Sequence, residues 1–188
     1  MMKLLGSALL VGGLVTLARP AWGQRRTAVG APAGARYEFG VDFAGYYDKP
    51  SGGTGGIQMG VPVDVRVAFL TRSALMWEPR LSFDLNSVGG TTIYTFDPGI
   101  NVLYELSRGS GPYNLVGAPY LTGGVAINFF KAGPTSGSQF SLGGGIGKRV
   151  PYGSSVGRME GFLSYTLKGS GMPSSFAIGA RLGMSFWH

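Results

Sequence analysis

Nine carboxylates and sixteen basic side chains are spread over 188 residues in a pattern strict enough to limit the chemistry open to them. Eight of the acids, Glu38, Asp42, Asp64, Glu78, Asp84, Asp97, Glu105 and Glu160, fall on a single parity of alternating stretches, and the ninth, Asp48, lies at a break. The same parity carries Arg36, Arg66, Arg80, Arg149, Arg158 and Arg181. Residues two apart on an extended chain share a face, so acids and guanidinium groups are directed to the same side. Pairs such as Asp84 with Glu78 or Asp97 have the residue types for general acid–base work. A structural network, in which Arg66, Arg80, Arg149, Arg158 and Arg181 neutralise these acids, is the more economical expectation.

Other chemistries lack their residues. The absence of cysteine excludes a disulfide scaffold, a thiolate metal site, a cysteine nucleophile and an N-terminal lipoprotein anchor. The one histidine is His188, the last residue, which leaves nothing for a histidine metal site or triad. Gly143 to Lys148 has the glycines of a phosphate loop, but Leu142 stands where the first Gly is required and Arg149 replaces the Ser or Thr. The formal charge of +7 could suggest a polyanionic partner. However, the basic residues are scattered singly, with Arg25-Arg26 and Lys148-Arg149 the longest clusters, so no nucleic-acid site is expected. Neither is an enzyme, a cofactor or a metal.

The elements that position the charges are strands. Gly supplies 34 of the residues and only 13% are charged, against roughly 25% in an average soluble domain. So much Gly disfavours helix, at about 1 kcal/mol per interior position relative to Ala. From Ala35 onward, stretches of strict apolar/polar alternation are separated by Gly/Ser/Pro-rich breaks, and eight such stretches can be counted. Ile57, Met59, Val61, Val63, Val65, Val67 and Phe69 oppose Gln58, Gly60, Asp64, Arg66 and Ala68, for example.

Residues 1–34 read differently. Lys3, the apolar run Leu4 to Ala18, and Ala21-Trp22-Gly23 are the three regions of a cleavable secretory signal, expected over 1–23. Gln24 to Gly34 is expected to be a flexible leader, and 35–188 the folded domain.

The two faces decide the class of the fold. A soluble barrel keeps an apolar interior and a polar exterior. Here the charged parity also holds most of the Gly, Ala and Ser, which suits a cramped lumen, while the other parity holds bulky Val, Ile, Leu, Phe and Tyr. Eight strands of bulky apolar face would far exceed the few hundred Å² of apolar patch normal on a soluble monomer. In hydrocarbon the same face is matched to its solvent, and the stretches exceed the roughly 9–11 residues a tilted spanning strand needs. With the N-terminus periplasmic, turns are expected at 71–73, 107–114 and 151–155, and four outer loops at 47–56, 87–91, 130–138 and 169–174. Aromatics gather at both ends of the strands, as interface girdles do.

Four stretches carry a family resemblance: Pro119 to Val125, Gly143 to Gly147, Met159 to Phe162, and the closing Ile178 to Phe186. In them the chain from Ala35 to His188 resembles the small eight-stranded outer-membrane β-barrels, the OmpA/OmpX-like and opacity-protein-like domains. The resemblance implies an all-β, antiparallel, up-and-down transmembrane barrel, monomeric and surrounded by outer-membrane lipid. It also implies a terminal aromatic read by the outer-membrane assembly machinery. Here that signal would be Phe186 and Trp187, displaced from the last position by His188. The expected role is structural or surface-interacting. The alternatives are a small porin-like pore for ions or small solutes, and a soluble barrel that binds an apolar ligand.

Overall fold

The computed structural model describes residues 36–71, 74–88, 91–106, 117–152 and 155–187. The expected signal segment and leader, and the whole of the 107–114 turn, lie outside these residues. Eight strands are formed: β1 (Tyr37–Pro50), β2 (Gly56–Phe69), β3 (Leu75–Val88), β4 (Thr91–Glu105), β5 (Pro119–Ala132), β6 (Thr135–Tyr152), β7 (Ser155–Thr166) and β8 (Ser175–Trp187). Each pairs antiparallel with the next, and β8 pairs with β1, so the sheet closes into an up-and-down barrel. Closure leaves no long free edge of the kind that an open sheet presents.

The period-two pattern becomes an inside and an outside. Along β1, Glu38, Gly40, Asp42 and Ala44 are buried while Tyr37, Phe39 and Phe43 are exposed. Along β7, Val156, Arg158, Glu160 and Phe162 are buried while Met159, Gly161 and Leu163 are exposed. The direction is inverted relative to a soluble protein: fully buried side chains include Arg66, Arg149, Arg158, Glu38 and Glu78, and the exposed ones are Phe, Leu, Ile, Val, Met, Tyr and Trp.

The strands outrun the sequence breaks. The expected loop 130–138 is a two-residue turn, Gly133-Pro134, because β5 and β6 stay paired up to Ala132 with Thr135. Backbone pairing continues past the apolar band since ladder hydrogen bonds do not depend on apolar side chains. Polar Lys131, Ser136 and Ser138 simply take over the alternation. Residues 169–174 likewise hold a tight turn, with Ser170 at φ 47° and Gly171 at φ 78°, the left-handed pair of a two-residue hairpin. Ser170 ties this turn to β6: its hydroxyl accepts from the Ser138 N–H and donates to the Ser138 carbonyl, both at 2.9 Å. The connections at this rim are therefore compact.

One junction is incomplete. β2 and β3 are paired from Phe69 with Trp77 up to Val63 with Phe83, and among the described residues no pair joins Gly56–Pro62 to Asp84–Val88. Two features of β2 divert the strand there. Pro62 has no N–H to donate, and Gly60 adopts φ 79° where the β1–β2 register shifts between Phe43 and Gly45. Beyond that point Ile57 and Met59 are the most exposed large apolar residues of the barrel, at 77% and 69%.

Candidate functional site

The lumen is occupied by a continuous ion-pair network. Arg66, on β2, is its hub on one side: Nε donates to Asp42 at 2.8 Å, Nη1 to Glu38 at 2.8 Å and Nη2 to the Ser185 hydroxyl at 2.7 Å. Ser185 in turn donates to Glu38 at 2.6 Å. The second oxygen of Glu38 accepts from Arg149 Nε at 2.8 Å, and Arg149 Nη1 reaches Glu105 at 2.5 Å. On the opposite wall Arg158 holds Glu78 with both terminal nitrogens, Glu160 at 2.7 Å and the Tyr120 oxygen at 2.5 Å. Arg80 joins the two sides, donating to Asp64 at 2.6 Å and Asp42 at 3.3 Å while its other terminal nitrogen stands 3.7 Å from Glu78 and 3.8 Å from Glu160. Arg181 bridges Glu160 at 2.7 Å and stands 3.2 Å from Asp64. Ser82 also donates to Asp64.

Burial makes these contacts consequential. Ionised groups out of water are costly unless paired and hydrogen-bonded. Most of the planar guanidinium donors here find acceptors in the fixed geometry that arginine favours. Glycines make the room. A Cβ on Gly40 would run into the Arg66 guanidinium, and one on Gly147 into the Tyr120 hydroxyl. The small residues of the inner parity thus permit the large ones.

Eleven of the thirteen charged residues singled out in the sequence meet in this network: Glu38, Asp42, Asp64, Arg66, Glu78, Arg80, Glu105, Arg149, Arg158, Glu160 and Arg181. Asp84 and Asp97 do not join it. They sit on the inner parity nearer the far rim, each with one buried oxygen lacking a hydrogen-bond partner. Asp97 lines a cavity of about 100 Å³ together with Arg80, Asn101, Thr122, Phe162 and Arg181.

Several contributors escaped the charge pattern. Tyr120 is fully buried and carries two guanidinium groups against its ring, Arg149 at 5.0 Å and Arg158 at 4.9 Å from the ring centre, each a cation–π contact. Its hydroxyl lies 3.0 Å from Glu160. Phe162 supports Arg181 at 3.8 Å in the same way. Beneath the charges, Met76, Leu103 and Tyr120 form an apolar layer with Leu70 and Trp187 packed on it. Trp187 therefore turns inward, 6.0 Å from Arg149, and only Phe186 of the terminal pair faces outward, 49% exposed. Adjacent on β8, the two residues take opposite parities, so they cannot share one outward face.

No protein-family model matches the chain, and no curated protein does. Solved structures do resemble it. Neisserial surface protein A is 15% identical over 80% of this chain and 97% of its own, with a TM-score of 0.56. The Yersinia pestis attachment invasion locus protein Ail, in complex with the heparin analogue sucrose octasulfate, is 8% identical over 81% of this chain and 99% of its own, with a TM-score of 0.50. At these identities the likeness is one of fold: the chain has the architecture of the small eight-stranded β-barrels.

Proposed function

We propose that the protein is a monomeric integral barrel of an outer membrane with a structural and surface-interacting role and no catalytic one. The observation that carries this reading is the inversion of the faces. A closed ring of exposed Phe, Leu, Ile and Val encloses four buried arginines, the half-buried Arg181 and six buried carboxylates. Only hydrocarbon makes such an exterior favourable, and outside the β2–β3 gap closure lets the spanning strands satisfy their backbone groups against one another. Exposed Tyr37, Trp77 and Tyr104 near the chain ends, and Tyr47, Tyr94 and Phe176 at the other rim, are placed as interfacial girdles.

Residues 1–23 act in this reading as the export address, and 24–34 as a leader. Outward-facing Phe186 on β8 is the residue offered to the assembly machinery. Glu38 and Glu78, the most deeply buried acids, are held by Arg66, Arg149 and Arg158, which supports the non-enzymatic role. The pore reading is disfavoured because the network and the Met76–Leu103–Tyr120 layer occupy the lumen across its width. What remains for surface contact is a rim of compact turns.

Fractionation and electrophysiology test this directly. The protein should sediment with outer membranes, require detergent for extraction and migrate differently on gels before and after boiling. Refolded into planar bilayers, it should give no conductance steps. Recovery from the soluble periplasmic fraction would overturn the membrane reading, and steady ion conduction would replace the closed barrel with a pore.

A further inference from the structure

The outward face carries three lysines within strands, all exposed: Lys49 on β1, Lys131 on β5 and Lys148 on β6. The first two sit at the rim away from the chain ends. Lys148 stands alone at the opposite end, paired across the ladder with Pro119 and Met159. Beside it is an open groove of about 390 Å³ on the outside of the wall, bordered by Ile146, Met159 and Leu182. Its floor is Gly161 and Ala180, which are direct partners on β7 and β8. The rows on either side are Met159 with Leu182 and Leu163 with Ile178, so bulky side chains wall a strip where two small ones expose the backbone. A Cβ added at Gly161 would meet nothing within 4 Å, so the strip is open.

We propose that this groove seats an acyl chain of an anionic phospholipid whose phosphate is held by Lys148. The inference rests on the membrane reading above, and places the lipid in the leaflet on the side of the chain ends. Charge selects the occupant. The barrel's acids are turned into the lumen or, as with Asp48, placed at the far rim. Glu160, whose backbone borders the groove, directs its carboxylate to Arg158 and Arg181. The field of Lys148 on the outer face is therefore not cancelled. A lysine at a membrane boundary lays its stem along apolar surface and its ammonium at headgroup level, where it has three donors for phosphate oxygens and adds to the attraction for anionic lipid.

The test uses full-length protein refolded into phosphatidylcholine vesicles with and without a minor fraction of phosphatidylglycerol, extracted in mild detergent and weighed by native mass spectrometry. Insertion into pure phosphatidylcholine vesicles is scored first by heat-dependent gel migration, and failure there counts against the membrane reading. Given insertion, the wild type should retain one phosphatidylglycerol in preference to phosphatidylcholine. Lys148→Gln should reduce that retention about fivefold, the equivalent of one basic contact at an anionic surface. Gly161→Leu, which fills the groove and leaves the charge, should reduce it as well. Lys148→Arg should keep it, and Lys131→Gln should change nothing. Equal retention of the two lipids by the wild type, or undiminished phosphatidylglycerol on inserted Lys148→Gln, would overturn the proposal.

Discussion

Arg158 on β7 grips Glu78 on β3 with both terminal guanidinium nitrogens, between strands that have three others between them in either direction around the ring. The pair is a diameter of the barrel. Removing one partner leaves the other ionised and buried, a loss that typically costs about 3–5 kcal/mol. Arg158→Ala should therefore lower the unfolding free energy by that order in urea titrations of the refolded protein. Exposed Lys131→Ala should stay within about 0.5 kcal/mol of wild type. If the two variants ranked the other way, the lumen network would not be structural.

Tyr120 meets two guanidinium groups with its ring and accepts a hydrogen bond from one of them. Tyr120→Phe keeps the ring against Arg149 and Arg158 but deletes the oxygen that meets Arg158 Nε and Glu160. The expected cost is about 1–3 kcal/mol, that of a buried donor left without its acceptor, read from the same titrations. A neutral outcome would mean that water replaces the hydroxyl without loss.

Gly40 tests the packing of the lumen. Gly40→Val must displace the Arg66 guanidinium, which an added Cβ already overlaps, and overpacking of this kind costs about 1–3 kcal/mol. Gly56→Ala, with nothing within 4 Å of the new methyl, should be nearly neutral. Chemical denaturation of the two variants side by side gives the comparison.

The two faces should respond oppositely to charge. Leu142 on β6 points outward at 47% exposure, so Leu142→Arg places an unpaired cation in hydrocarbon, at about 2–4 kcal/mol near the midplane, and should depress refolding into liposomes. Asp64→Leu strands Arg80 and Arg181 inside and should depress refolding as well, whereas Asp64→Asn retains a hydrogen-bonding group and should insert. A wild-type refolding yield for Asp64→Leu would reverse the orientation of the faces.

Strand number, closure order and the side of each charge were legible because a period of two is written directly into the residue types. Partnership across the lumen was not. Arg158 and Glu78 are separated by 80 positions, and nothing local joins them; only the tilt and closure of the ring do. Tyr120 shares its parity with Thr122, Gly124 and Asn128, and an aromatic among small and uncharged residues gives no charge signal that would put it in the network. Asp84 and Asp97 share the parity of the network acids yet lie nearer the rim, and height along the lumen has no signature in alternation. The loop at 130–138 was misjudged because Gly, Ser and Pro mark weak side-chain packing, which a hairpin ladder tolerates.

The gap between β2 and β3 changes where this ring yields. β1 and β8, the strands that bring the chain's first and last segments together, are paired along thirteen positions from Glu38 with Trp187 to Pro50 with Ser175. The clasp is fastened along its whole length, and the slack link lies two strands over. Amide hydrogens of Gly56 to Gly60 that face this gap have no ladder partner on β3, so they should exchange with deuterium well before those of β1 or β8. Denaturant or tension should part the wall there, leaving the junction of the two ends to open last.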